Sequence, residues 1–326
     1  MKAKITFHNG KGKALTPQTN IDMFNFPFTL NNNIGCLYGC RYCYLQKAPY
    51  CKHAEFGKEV KVKTWIPEVL DKELTRFSEL PQHLKRVQTN PATEGFHPWV
   101  LSQTRTRLGR DIMTEILEVF EQQWQNGNQW MIHIVTKSNY ITKYIDLLKR
   151  MRHMIQVEIT IITAENELSR QFEPLAPSIN ARLKAINKLA REDIFVRVMA
   201  MPVIVEEGIP EEEVIENLTI LKDLAFDNGA RAFKNKGLNY FNAADVRQGN
   251  AKVVRQQDNK YYKTLQIKSG EPALPERNRN VLMPRAENKK NWAAGHYNER
   301  LVNINVPIVN FGYNNLNNGI DWSNII

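Results

Sequence analysis

Between residues 84 and 238 the chain alternates short apolar runs with amphipathic stretches. LKRVQTN (84–90), WMIHIVTKS (130–138), IQVEITIIT (155–163), IFVRVMAMPVI (194–204) and ARAFKNKGL (230–238) have the length and β-branched content of buried strands. RDIMTEILEVFEQQWQNGN (110–128) sets Ile112, Ile116, Leu117, Val119, Phe120 and Trp124 at helical spacing and stops at Asn-Gly. ITKYIDLLKRM (141–151), APSINARLKAINKLARED (176–193) with Ser178 as N-cap, and EEEVIENLTILKDLAFDNG (211–229) are the other predicted helices. With a first strand near MFNFPFTLNNN (23–33), six strands alternate with helices. That rhythm predicts βαβ units around a parallel sheet. The expected architecture is an α/β fold, a partial (β/α)6 TIM-type barrel, with a doubly wound sheet as the alternative.

Three regions follow: an N-terminal extension (1–22), the barrel (23–240) and a C-terminal extension (241–326). The last is polar and Asn-rich, with prolines at 272, 275, 284 and 307, and its composition around 246–290 is that of a disordered segment. At 42% hydrophobic and 24% charged residues the chain is an ordinary soluble one. It has no apolar run of membrane-spanning length. MKAKITFHNGKGKALTP (1–17) lacks the apolar stretch of a secretory signal.

The net charge of +10 is uneven: residues 231–300 hold 15 Lys/Arg against 6 Asp/Glu. Such a surplus is the footprint of a polyanion-binding face, DNA being the expected partner, or else an ordinary solvated surface. KYYKTLQIK (260–268) offers Tyr261 and Tyr262 for base stacking, or is simply an amphipathic strand.

All four cysteines fall between residues 36 and 51. Crowded into one loop they cannot staple a large fold, so a reducing, cytoplasmic setting and metal or redox chemistry are expected. Cys36, Cys40 and Cys43 have the spacing C-x3-C-x2-C, and Cys51 follows eight residues later. Zinc is one possibility, with Cys51 or His53 as fourth ligand. The other is a [4Fe–4S] cluster held at three corners, with its fourth iron open.

GCLYGCRYCYLQ (35–46), following the first strand, resembles the cluster loop of the radical S-adenosylmethionine superfamily, and within it the spore photoproduct lyase-like group. TKS (136–138) resembles that group's third-strand motif. SRQFEPLAPSINARLKAINKLA (169–190) resembles its segment leading into a helix, with Arg170, Glu173, Pro174, Pro177, Ser178 and Arg182 in place, and TNPATEGFHP (89–98) is a looser match. The similarity covers about residues 25–240.

The resemblance implies a [4Fe–4S] cluster on Cys36, Cys40 and Cys43 that binds S-adenosylmethionine. One electron, from a flavodoxin- or ferredoxin-like reductant, then yields a 5′-deoxyadenosyl radical that abstracts a substrate hydrogen. It places Thr89, Asn90 and Glu94 at the cofactor's amino group, Lys137 at its carboxylate and Thr160 at its ribose or carboxylate, with Ser138 and Tyr42 also in the cofactor site. Arg197, buried in a strand, needs an anionic partner, for which a ligand is one source. Tyr42 and Tyr44 flank Cys43; they relay a radical or proton, or pack around the cluster. His133 alternates with Ile132 and Ile134 and fits a barrel-lining group better than a ligand.

Spore photoproduct lyase uses a downstream cysteine as hydrogen donor, and no cysteine follows Cys51 here. The expected reaction is therefore hydrogen abstraction from a thymine-type base of DNA, with rearrangement of a base substituent and return of the hydrogen. Dimer-repair lyase chemistry and radical chemistry on a peptide or metabolite are the alternatives.

Overall fold

The computed structural model describes residues 3–18, 26–43, 45, 56–203, 211–237, 240–241 and 253–254. The chain opens with β1 (Lys4–His8), β2 (Leu15–Pro17), β3 (Phe28–Leu30), β4 (Asn33–Ile34), β5 (Glu59–Lys63) and helix α1 (Ile66–Arg76). Next come β6 (Arg86–Thr89), α2 (Pro98–Leu108), α3 (Ile112–Gln125) and β7 (Met131–Thr136). Then follow α4 (Ile145–Arg150), β8 (Ile155–Thr160), α5 (Asn166–Phe172), α6 (Ile179–Arg191), β9 (Val196–Val203), α7 (Glu211–Asp227) and β10 (Ala232–Gly237).

The main sheet has the order β10-β9-β8-β7-β6-β3-β2. Six of its strands, β3 and β6 to β10, are parallel, and β2 is an antiparallel edge. This is the predicted partial barrel: six parallel strands in chain order, joined by helices. Among the described residues the sheet stays open. Residues 15–17, inside the N-terminal segment, add its edge strand, while β1 pairs parallel with β5, and β5 antiparallel with β4, in a small second sheet.

The two faces of the main sheet differ in chemistry. Register puts Val87, Ile132 and Ile155 in one row, Ile134, Val157 and Val196 in the next, and Ile159, Val198 and Phe233 above them. All are buried in the apolar core. Because side chains alternate along a strand, the intervening residues point to the other face, the barrel lumen. That face carries Gln88, His133, Gln156, Glu158, Thr160 and Arg197. β8 shows both at once: in IQVEIT every residue is buried, apolar on the helix side and polar on the lumen side.

Ser178 caps α6 as expected, accepting from Ala181 N at 3.2 Å. Asp111 caps α3, accepting from Thr114 N. The predicted helix over 141–151 begins as a 3-10 turn (139–144) and becomes α-helical only at Ile145. The first predicted strand shrinks to Phe28–Leu30, because at Asn33 the chain leaves the main sheet to pair with β5. Among the described residues no helix is long and apolar enough to cross a membrane.

Candidate active site

In parallel α/β sheets, ligands bind beyond the C-terminal ends of the strands. A cavity of about 160 Å³ lies there. Cys36, Cys40 and Cys43 line one wall. Asn90 and Glu94 after β6, and Thr136 and Lys137 at the end of β7, line another. Val135, Thr160 and Met199 form its floor, so the cavity opens onto the lumen face of the sheet.

The cysteine loop is fixed by backbone. Gly39 holds φ +60° and packs on Gly57, itself at φ +76°; an added Cβ on Gly57 would lie 3.4 Å from Gly39 Cα. Gly57 N donates to Cys36 O at 3.1 Å, and Arg41 N to Phe172 O at 2.9 Å. The three cysteines are thiols rather than half-cystines. Burial pushes the Cys40 thiol up to about 12, with the Glu173 carboxylate adding to it, and burial and then Cys40 push the Cys36 thiol up. Metal ligation supplies the positive charge that reverses this preference and drives the thiol proton off. The donor set, three thiols in one pocket, therefore fits a thiophilic metal group. Among the described residues no three His, Cys, Asp or Glu side chains converge as a single-ion site requires. An iron–sulfur cluster spreads its thiolates over separate irons.

Glu94 is buried and braced by neutral donors: Thr136 Oγ1 at 2.7 Å, Lys137 N at 2.9 Å and Phe96 N at 2.9 Å. Burial nevertheless raises its pKa above the usual carboxylate value. Asn90 sits in the left-handed region at φ 59°, its Oδ1 accepting from Asn32 N at 3.4 Å.

Lys137 Nζ lies 3.5 Å from Glu173 Oε1 and 5.7 Å from the centre of the Tyr42 ring. The Tyr42 hydroxyl donates to the same Glu173 oxygen. Arg182 pairs with Glu173 Oε2 at 2.5 Å, and its other nitrogens donate to Thr160 O at 2.7 Å and Pro177 O at 2.9 Å. Burial alone would raise the Glu173 pKa, but Arg182 and then Lys137 outweigh it and hold the carboxyl below its usual value.

The structure thus brings Cys36, Cys40, Cys43, Tyr42, Asn90, Glu94, Lys137 and Thr160 to one cavity. Thr89 and Ser138 are wholly buried beside it, Ser138 donating to Phe96 O and capping the 3-10 turn. Arg197 lies two residues below the floor and finds its anionic partner in Glu158. Tyr44, Cys51 and nearly all of 231–300 beyond Gly237 lie outside the described residues. Glu173 and Arg182 were visible in the sequence only as carriers of the family resemblance. Their pairing with Tyr42, 131 residues from Glu173, is a tertiary fact.

No protein-family profile matches the chain. It is 26% identical over 196 residues to an uncharacterized protein of Methanocaldococcus jannaschii, covering 60% of this chain and 66% of that one. It is 24% identical over 233 residues to an uncharacterized protein of the Acidianus two-tailed virus, covering 68% and 69%. An uncharacterized protein of Mycobacterium tuberculosis is 26% identical over 207 residues, covering 61% and 56%. The matched region thus spans between just over half and about two thirds of these relatives.

Among solved structures, spore photoproduct lyase complexed with dinucleoside spore photoproduct superposes with TM-score 0.55 at 15% identity, over 78% of this chain and 69% of the lyase. A mutant of the lyase with bound AdoMet and the same dinucleoside gives TM-score 0.52 at 15% identity, over 73% and 64%. The likeness first seen in the cysteine loop therefore extends through the barrel: the chain has the fold of spore photoproduct lyase.

Proposed function

We propose that the chain is a radical S-adenosylmethionine enzyme that removes a hydrogen from a thymine-type base of DNA. The observation that carries this reading is the placement of the C-x3-C-x2-C thiols against Lys137 and Asn90 in one cavity beyond the strand ends of a lyase-type barrel. When bound, a [4Fe–4S] cluster and S-adenosylmethionine supply a carbon radical able to take an unactivated hydrogen. Cys36, Cys40 and Cys43 would hold the cluster. Lys137 would meet the cofactor's carboxylate, a charge-assisted bond in a water-poor pocket. Thr160 on the floor, and Asn90 and Glu94 on the wall, face the space left for the rest of the cofactor. The apolar floor residues Val135 and Met199 keep water from the reacting centre.

DNA as the substrate is supported by the basic surplus of residues 231–300 and by the lyase fold, whose solved complex holds a dinucleoside lesion. Rearrangement of a base substituent is favoured over repair because the sequence lacks a thiol donor beyond Cys51.

Anaerobic reconstitution tests the class: iron and sulfide near four per chain and cleavage of S-adenosylmethionine on reduction are expected, as a cubane cluster requires. One zinc per chain instead would overturn it. Binding to DNA that falls steeply between about 50 and 200 mM salt is expected, and a flat dependence would favour a metabolite or peptide substrate. With substrate deuterated on the thymine C5 substituent, deuterium should enter recovered S-adenosylmethionine over many turnovers. Stoichiometric trapping in 5′-deoxyadenosine would favour the lyase chemistry.

A further inference from the structure

The Glu173 side chain is wholly buried and does not line the cavity, yet it holds two residues that do. Its Oε2 pairs with Arg182 at 2.5 Å, and Arg182 is tied in turn to Thr160 O at the end of β8 and to Pro177 O before α6. Its Oε1 serves the cavity wall. That oxygen accepts from the Tyr42 hydroxyl and lies 3.5 Å from Lys137 Nζ, which also stands 5.7 Å from the centre of the Tyr42 ring. One atom thus joins the cysteine loop to the end of β7, and Arg182 joins both to β8. The backbone of Lys137 is held separately, its N–H donating to Glu94 Oε2 at 2.9 Å.

Stability does not account for this arrangement. A buried ion pair is often no better than a well-packed apolar pair of the same volume. Arg182 engages one carboxylate oxygen, and the other is turned to the wall of the cavity. A lysine stem is flexible, and fixing it costs about 2 kcal/mol of rotamer entropy. Holding it in place before a ligand arrives removes that cost from binding.

The carboxylate also lies next to the thiols. Arg41 N donates to Phe172 O at 2.9 Å, so residues 172–173 run against residues 41–42, between Cys40 and Cys43. After burial, the Glu173 charge is the largest influence pushing the Cys40 thiol up. A fixed negative charge in a dry site opposes further negative charge beside it, and an added electron is such a charge. In iron–sulfur sites net charge is one of the quantities that set the reduction potential.

We propose that Glu173, clamped by Arg182, is a positioning residue of the cofactor cavity: its Oε1 fixes Lys137 and Tyr42 to each other, and its charge opposes electron uptake at the thiol wall. The inference rests on the reading of the three thiols as a cluster site. Glu173 acts there through Lys137, Tyr42 and its field.

Glu173→Gln keeps the shape of the side chain and removes its charge. In the full chain before reconstitution, acylation of Lys137 by an amine-reactive ester, read by peptide mass spectrometry, should rise at least about threefold once the ammonium loses its anion. Lys149, 51% exposed, should keep its native rate and so report an intact fold. After anaerobic reconstitution, the midpoint of the cluster, followed by electron paramagnetic resonance in a potentiometric titration, should move to a more positive potential. A carboxylate that served only to pair Arg182 would leave the Lys137 labelling unchanged. If Glu173→Gln does not fold, Glu173→Leu with Arg182→Met leaves neither charge of the pair and carries the labelling test. Unchanged labelling of Lys137 overturns the proposal, and so does a midpoint that stays in place or falls; in both cases cluster assembly keeps the radical reading. A native protein that assembles no cluster overturns that reading, and the labelling then decides the positioning role by itself.

Discussion

Two buried charge clusters lie a few residues apart on the same barrel and are built in opposite senses. At the rim, one carboxylate, Glu173, faces two cations and a phenol: Arg182, Lys137 and Tyr42. Two cations against one carboxylate leave a net positive charge beside the cavity. In the lumen, Glu158 faces one guanidinium and a neutral imidazole, with Lys234 farther off. The rim suits an anionic group, whereas the lumen cluster is closed on itself: Glu158 and His133 are fully buried and neither lines the cavity.

The largest expected effect lies at the metal site. Changing Cys36, Cys40 or Cys43 to Ala should abolish cluster assembly, read as loss of iron, sulfide and visible absorbance, because an incomplete thiolate set cannot hold the cluster. Iron and sulfide retained in any of the three variants would overturn the cluster assignment.

Next in size is stability. Arg182→Met strands Glu173 in a site where the pair's side chains are only 1% and 0% exposed. Removing one partner of a buried pair costs roughly 3–5 kcal/mol, measurable by denaturant unfolding. Arg197→Met should cost less, because Lys234 still faces Glu158 and the Arg197 side chain is 13% exposed. Equal losses would erase the contrast between the two clusters. Lys137→Ala should leave stability nearly intact, since Arg182 still holds Glu173, but should weaken S-adenosylmethionine binding by about 10- to 150-fold, the worth of a charge-assisted bond. Unchanged affinity would mean that Glu173 alone accounts for the lysine's position.

Much of the barrel was legible because its strands carry β-branched runs and its helices carry capped amphipathic faces. The small sheet was not: Glu59–Lys63 alternates half-buried and buried positions but is too short to stand out, and its partner β1 is 55 residues earlier. α2 escaped notice because its apolar residues make no stripe; Val100 and Leu101 are adjacent and buried. In the site, spacing alone marked the three cysteines, a local signal. The partners of Lys137 and Arg197 were not legible, because Glu173 and Glu158 reach them only through strand register and loop closure. A buried cation announces that an anion exists; only the fold says whether the anion is protein or ligand.

The smallest effect is also the most diagnostic of the lumen. His133 is wholly buried, and burial lowers its pKa from 6.5 to about 4 despite the opposing pull of Glu158. The folded protein therefore resists protonation that the unfolded chain accepts. Between pH 6.5 and 4 the unfolded state binds more protons, so stability from this group is complete above pH 6.5 and is lost as pH falls toward 4. Glu158, held at about 2 because Arg197 and His133 outweigh its burial, has the same sign in a lower window: its contribution is present above the ordinary carboxylate pKa and is lost as pH falls toward 2. His97, lowered to about 4 by burial alone, overlaps the His133 window. The two are separable by substitution: His133→Gln should flatten part of the slope of unfolding free energy between pH 6.5 and 4, and His97→Gln another part, additively, since the sites share no partner. An acid slope that His133→Gln leaves untouched would place the titration elsewhere.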